Sequence, residues 1–130
     1  MIVDTSAIVA ILNQEPEAEA FIAKLAADPD PQISAATAVE LYAVTDQRGD
    51  PGQARRVDQL LETLSIRQIP FDAEQAQLAR AAYRDYGKGS GHPAKLNLGD
   101  CFSYALAAHT GLPLLCKGDD FPHTDLTLTP

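Results

Sequence analysis

A chain of 130 residues with 45% hydrophobic and 22% charged residues can bury one core and has the composition of a soluble globular protein. Its formal charge of −8 excludes a broad basic surface for nucleic acid, though not a local one. No basic segment precedes the first apolar run, and no stretch is apolar for long enough to span a bilayer, so a cytoplasmic protein without a membrane partner is expected. The two cysteines, Cys101 and Cys116, lack metal-ligand spacing; in a reducing compartment they read as buried thiols, with a disulfide as the weaker alternative.

Ile2 and Val3 are β-branched and predict a short buried strand that stops at Asp4. Thr5 or Ser6 can then cap a helix carrying Ile8, Val9, Ile11 and Leu12. Glu15-Pro16-Glu17 predicts a second helix start, with Phe21, Ile22 and Leu25 on its inner face. Asp28-Pro29-Asp30-Pro31 breaks it, and Gln32-Ile33-Ser34 reads as a second strand. Ser34 or Thr37 starts a helix with Val39, Leu41, Tyr42 and Val44, in which Glu40 is the odd carboxylate. Arg48-Gly49-Asp50-Pro51-Gly52 is a turn, followed by a helix over 53–64 with Val57, Leu60, Leu61 and Leu64 inward.

Residues 66–71 predict a third strand. Asp72 caps the next helix, with Gln75 in the capping-box position and Leu78, Ala79, Ala82 and Tyr83 as the buried stripe. Three glycines and a proline make 87–95 a loop, and its only charges are positive. Leu98-Gly99-Asp100 opens a helix over 101–110 that Gly111 closes, and 112–116 is the last strand. Strands alternating with helices predict an α/β fold in a single domain over 1–130. A central parallel sheet of about four to five strands would carry helices on both faces, its strand ends on one edge.

Open α/β sheets bind ligands at the carboxyl ends of their strands, and acids fall there repeatedly. Asp4 follows the first strand, Asp100 starts the helix before the last strand, and Asp119-Asp120 follow that strand; Glu40 can reach the same cleft. Singly, Asp4 and Asp100 could be helix caps, Asp119-Asp120 a turn, and Glu40 a surface residue. Together they would repel one another and raise their pKa values unless a hard cation relieved the charge. Oxygen-only ligation suits Mg²⁺ or Mn²⁺. The implied chemistry is hydrolysis of a phosphoryl or phosphodiester group by metal-activated water, with no side-chain nucleophile.

At these residues the sequence resembles the PIN-domain ribonucleases, and more narrowly the VapC toxins of type II toxin–antitoxin pairs. The resemblance is carried by Val3-Asp4-Thr5-Ser6-Ala7, by Ala38-Val39-Glu40, by the stretch from Leu96 to Ala105 that contains Gly99-Asp100-Cys101, and by Leu114 to Asp125. It implies that Asp4, Glu40, Asp100 and Asp120 are the catalytic, metal-binding acids, Asp119 being the alternative to Asp120. It implies that Ser6 hydrogen-bonds the first aspartate and gives Asp125 a structural role. It further implies cleavage of RNA, often tRNA or rRNA, with Mg²⁺ or Mn²⁺, a cognate VapB-type antitoxin and a homodimer. Lys88, His92, Lys95 and Lys117 are the candidates for holding RNA, a merely solvated loop being the alternative.

Three other readings compete. A haloacid-dehalogenase-type phosphatase needs an acid two residues after its nucleophilic aspartate, where this chain has Ser6. A receiver domain needs paired acids after the first strand and a mid-chain phosphoacceptor, neither of which is apparent. A non-catalytic interaction module would keep the fold without the chemistry.

Overall fold

Four short parallel strands form the centre of the computed structural model, which describes residues 1–47 and 49–130. They are β1 (Ile2–Val3), β2 (Gln32–Ser34), β3 (Arg67–Ile69) and β4 (Leu114–Leu115), in the spatial order β3-β2-β1-β4. Six helices cover them: α1 (Thr5–Leu12), α2 (Ala18–Ala27), α3 (Ala35–Asp46), α4 (Pro51–Thr63), α5 (Ala73–Tyr86) and α6 (Leu98–Thr110). A 3₁₀ turn, Phe121–His123, follows β4.

Side chains alternate across a strand, so even two residues reach both faces of the sheet. Val3, Ile33 and Leu115 join a core with α1, α2, α3 and α4. Ile2 and Leu114 join a second core with Ala79 and Ala82 of α5 and with Cys101, Tyr104, Ala105 and Leu106 of α6. Both faces are thereby covered, which is why these strands read as unbroken apolar pairs rather than as an alternating pattern. The chain runs outward from β1 through β2 to β3, then returns to place β4 on the other side of β1. That reversal makes the carboxyl end of β1, where Asp4 stands, the topological switch point at which open α/β sheets place their ligands.

The helix ends explain most departures from the sequence expectations. Asp4, not Thr5 or Ser6, caps α1, its Oδ2 accepting from the Ser6 amide at 3.0 Å. Helix α2 begins only at Ala18, and it leaves Ile22 exposed. Ser34 caps α3, but Val39 and Val44 face outward. Asp50 caps α4 with Pro51 at its first position, so that helix starts ahead of Gln53; Arg48, at the head of the expected turn, lies outside the described residues. The third strand shortens to an edge whose Arg67 pairs with Asp30.

Asp72 caps α5 as expected, but the Gln75 side chain turns to the Pro70 carbonyl, leaving half a capping box; Tyr83 is exposed. Gly111 adopts φ +73° and closes α6 as anticipated. The last strand is reduced to two residues, and the Tyr104 hydroxyl donates to Asp125 at 2.7 Å, fastening the C-terminal segment to α6. Both thiols are free, with Cys101 buried and Cys116 half-buried, and burial pushes each up to about 12. Among the described residues, no helix is long and apolar enough to cross a membrane.

Candidate metal centre

Asp4 is 3% exposed and is gripped on both carboxylate oxygens. The Ser6 amide donates to Oδ2, and the Ser103 hydroxyl donates to Oδ1 at 2.6 Å. The hydroxyl expected from Ser6 therefore comes from Ser103, because Ser6 Oγ instead accepts from the Lys117 amide at 2.9 Å and ties the exit of β4 to α1. Glu40, on α3, accepts at Oε1 from the Thr5 hydroxyl at 2.7 Å, and its other oxygen lies against Gly99 at the start of α6. Asp100 is the third residue of α6 and completes a capping box with Asn97. Its Oδ2 takes the Asn97 amide at 3.0 Å, while its own amide reaches Asn97 Oδ1 at 2.8 Å.

Three elements thus bring acids to one place, and the electrostatics records their proximity. Asp100 is pushed up to about 7, first by burial and then by the charges of Asp4, Asp120 and Glu40, against the pull of the Asn97 amide. Cys116 feels the charges of Asp4, Asp100 and Asp120 after its burial. Asp120 is thus the member of the Asp119-Asp120 pair whose charge reaches this field; both side chains are exposed. None of the ion pairs among the described residues involves Asp4, Glu40, Asp100 or Asp120.

Among the described residues, no three His, Cys, Asp or Glu side chains are already arranged as metal ligands. The four acids are neighbours in one field, and each of Asp4, Glu40 and Asp100 is held by a protein donor: Asp4 by the Ser6 amide and the Ser103 hydroxyl, Glu40 by Thr5 of α1, and Asp100 by the Asn97 amide. The donor set nonetheless fits a hard divalent cation: it is all oxygen, it has no ion-pair partner among the described residues, and its mutual repulsion already shows at Asp100.

Gly99 is where this arrangement is most sensitive. A Cβ there would overlap the Glu40 carboxylate, while the helix itself would favour alanine over glycine by roughly 0.5–1 kcal/mol. Gly99→Ala is expected to keep or raise the melting temperature yet weaken Mn²⁺ binding roughly tenfold by displacing Glu40, as calorimetric titration would read.

The candidate cations divide. Lys117 is engaged, its Nζ lying 3.1 Å from both Glu15 and Glu17. Lys88 and Lys95 are exposed on the 87–95 loop, which is ordered by bonds from Lys88 N to Leu96 O and from Leu96 N to Tyr86 O. His92 is half-buried, edge-on to Tyr86, with Nδ1 accepting from the Ala94 amide. Sequence reasoning missed Asn97, Gly99, Ser103 and Thr37. The signal was present as spacing: Asn97 precedes Asp100 by three residues, and Ser103 and Thr37 lie one turn from Asp100 and Glu40 on the same helix faces.

A family model for the PIN domain matches residues 1–126. This chain belongs to the PIN domain family. It is 54% identical over 126 residues to Ribonuclease VapC42 of Mycobacterium tuberculosis, covering 97% of this chain and 96% of that protein. It is 52% identical over 124 residues to Ribonuclease VapC28 of the same organism, covering 95% and 93%. Among solved structures it resembles Mycobacterium tuberculosis VapC20, described as a sarcin-ricin loop cleaving toxin, with a TM-score of 0.77 at 16% identity over 98% of this chain and 97% of that one. A chain of a toxin–antitoxin complex from Klebsiella pneumoniae matches with a TM-score of 0.72 at 23% identity, covering 98% and 95%. These two likenesses speak to the fold alone.

Proposed function

We propose that residues 1–130 form one PIN domain that is a divalent-cation-dependent endoribonuclease, acting in the cytoplasm as the toxin of a toxin–antitoxin pair. A VapB-type antitoxin would neutralise it, and it would work as a homodimer. The observation that carries the reading is the common field of Asp4, Glu40, Asp100 and Asp120 beyond β1. Its identity to ribonucleases of the VapC type supports RNA as the substrate. These four acids would hold Mg²⁺ or Mn²⁺. A bound cation supplies a water of lowered pKa and offsets charge at the scissile phosphodiester. The chain's own contribution is placement: Ser6 and Ser103 fix Asp4, Thr5 fixes Glu40, and the Asn97 amide fixes Asp100.

A crevice fringed by so much negative charge admits a polyanion only with local help, for which exposed Lys88 and Lys95 on the 87–95 loop are suited. A folded single-stranded segment of tRNA or rRNA, with its bases splayed, suits it better than a duplex. If both lysines touch phosphates, Lys88→Ala with Lys95→Ala is expected to weaken RNA binding and flatten the slope of log affinity against log salt by about 0.7 per contact. Fluorescence anisotropy at several salt concentrations checks this; an unchanged slope removes the loop from the binding surface.

The function itself is tested by incubating structured RNA with the full chain and Mn²⁺ or Mg²⁺. Discrete cleavage that EDTA stops is expected. Intact RNA under all metal conditions would overturn the enzyme in favour of an interaction module, and turnover of p-nitrophenyl phosphate alone would favour a phosphatase.

A further inference from the structure

Behind Asp4 lies a buried chain of two hydroxyls. Ser103 on α6 and Thr37 on α3 are both fully buried, 3.2 Å apart, and Ser103 is 2.6 Å from Asp4 Oδ1. We infer that Ser103, backed by Thr37, is a positioning residue that fixes the Asp4 carboxylate and thereby sets the affinity of the site for a divalent cation. The inference rests on the reading of the four acids as a metal centre.

The direction of the chain follows from counting protons. A serine hydroxyl has one proton, and a separation of 2.6 Å from a carboxylate oxygen commits it there. Ser103 Oγ can then only accept from Thr37, so the order is Thr37 to Ser103 to Asp4. The Ser6 amide holds the other oxygen at 3.0 Å, so the carboxylate cannot turn about its Cβ–Cγ bond without losing a donor. Each oxygen keeps a further lone pair for another partner.

The partner that Ser103 chooses separates this role from ordinary filling of the core. Hydroxyls within helices commonly return to a backbone carbonyl of the preceding turn. Thr45 does so to Leu41 at 3.0 Å, and Thr110 to Leu106 at 2.8 Å. Ser103 sits in the same kind of helical setting yet donates across the interior to an acid ninety-nine residues away in sequence. Groups that orient ligands in this way typically change metal affinity by ~10–100-fold when removed.

Calorimetric titration of the full chain with Mn²⁺ tests the role without relying on cleavage. Ser103→Ala is expected to weaken binding about tenfold and Thr37→Val by less, whereas Thr45→Ala, which removes an equally buried hydroxyl, leaves affinity unchanged. Native affinity in Ser103→Ala, beside loss of binding in Asp4→Asn, would overturn the positioning role and leave the metal centre standing. Native affinity in Asp4→Asn would remove the metal centre and this inference together. An equal loss in Thr45→Ala would also overturn it, since any buried hydroxyl would then serve. Should Ser103→Ala not fold, unchanged affinity in Thr37→Val overturns the inference alone.

Discussion

Asp100→Asn is expected to abolish RNA cleavage while making the metal-free protein harder to melt at pH 8. Removing one acid from a cation site costs several kcal/mol of transition-state stabilisation, so about 4 kcal/mol, or roughly a thousandfold in rate, is the expected loss. The gain in stability follows from the sign of the pKa shift. Burial and the surrounding acids raise Asp100 from 3.8 to about 7, so between those values the folded chain binds more protons than the unfolded one. Its contribution to stability is full below pH 3.8 and is lost as pH rises through 7. Asparagine carries no such charge and its side-chain oxygen can still accept from the Asn97 amide, so the capping box survives. Thermal melts in EDTA from pH 4 to 8 should show the native protein losing stability across this window and the variant much less. A variant that melts below the native protein at pH 8 would contradict the shared field. Added Mn²⁺ should raise the native melting temperature far more than that of the variant.

Asp4→Asn should destroy cleavage to a similar degree and shift stability the other way. Both oxygens of Asp4 face donors, the Ser6 amide on one side and the Ser103 hydroxyl on the other. An amide offers one acceptor and one NH₂ group, so a donor must meet a donor. Ser103 can rotate to accept only by giving up the order imposed by Thr37. A buried polar group left without a partner costs about 1–3 kcal/mol. The two Asp→Asn variants should therefore be equally inactive and should separate in melting temperature on opposite sides of the native chain at pH 8. Circular dichroism melts alongside a cleavage assay check both halves. Were the two to move together, the difference between a gripped acid and a repelled one would be lost.

Much of this was legible from residue type and spacing. Ile2-Val3 before Asp4, Gln32-Ile33-Ser34, the Asp72 cap and Gly111 sit where local chemistry demands, because caps, turns and short apolar runs depend on neighbours a few residues away. Ile22, Val39 and Tyr83 show where local reasoning ends. A periodic apolar stripe says that a helix has an inner face, but how wide that face is depends on how many elements lean on it. The choice between Asp119 and Asp120 was likewise closed to the sequence, since adjacent side chains diverge and only the path after β4 decides which charge reaches Asp100. Lys117 carried a charge that suggested RNA; the turn before α2 had already brought Glu15 and Glu17 to it.

By itself the sequence determined the alternation of strands and helices, the acids at strand ends and the membership of the PIN domain family. Those features rest on backbone preference and hydrophobic pattern, which each short stretch carries within itself. Only the tertiary structure decided that Ser103 and Thr37, sixty-six residues apart, form a line ending on Asp4, and that Glu40 rests on Gly99. Contacts of that kind depend on how α3 and α6 pack at the end of β1, and no stretch of the chain holds that information alone.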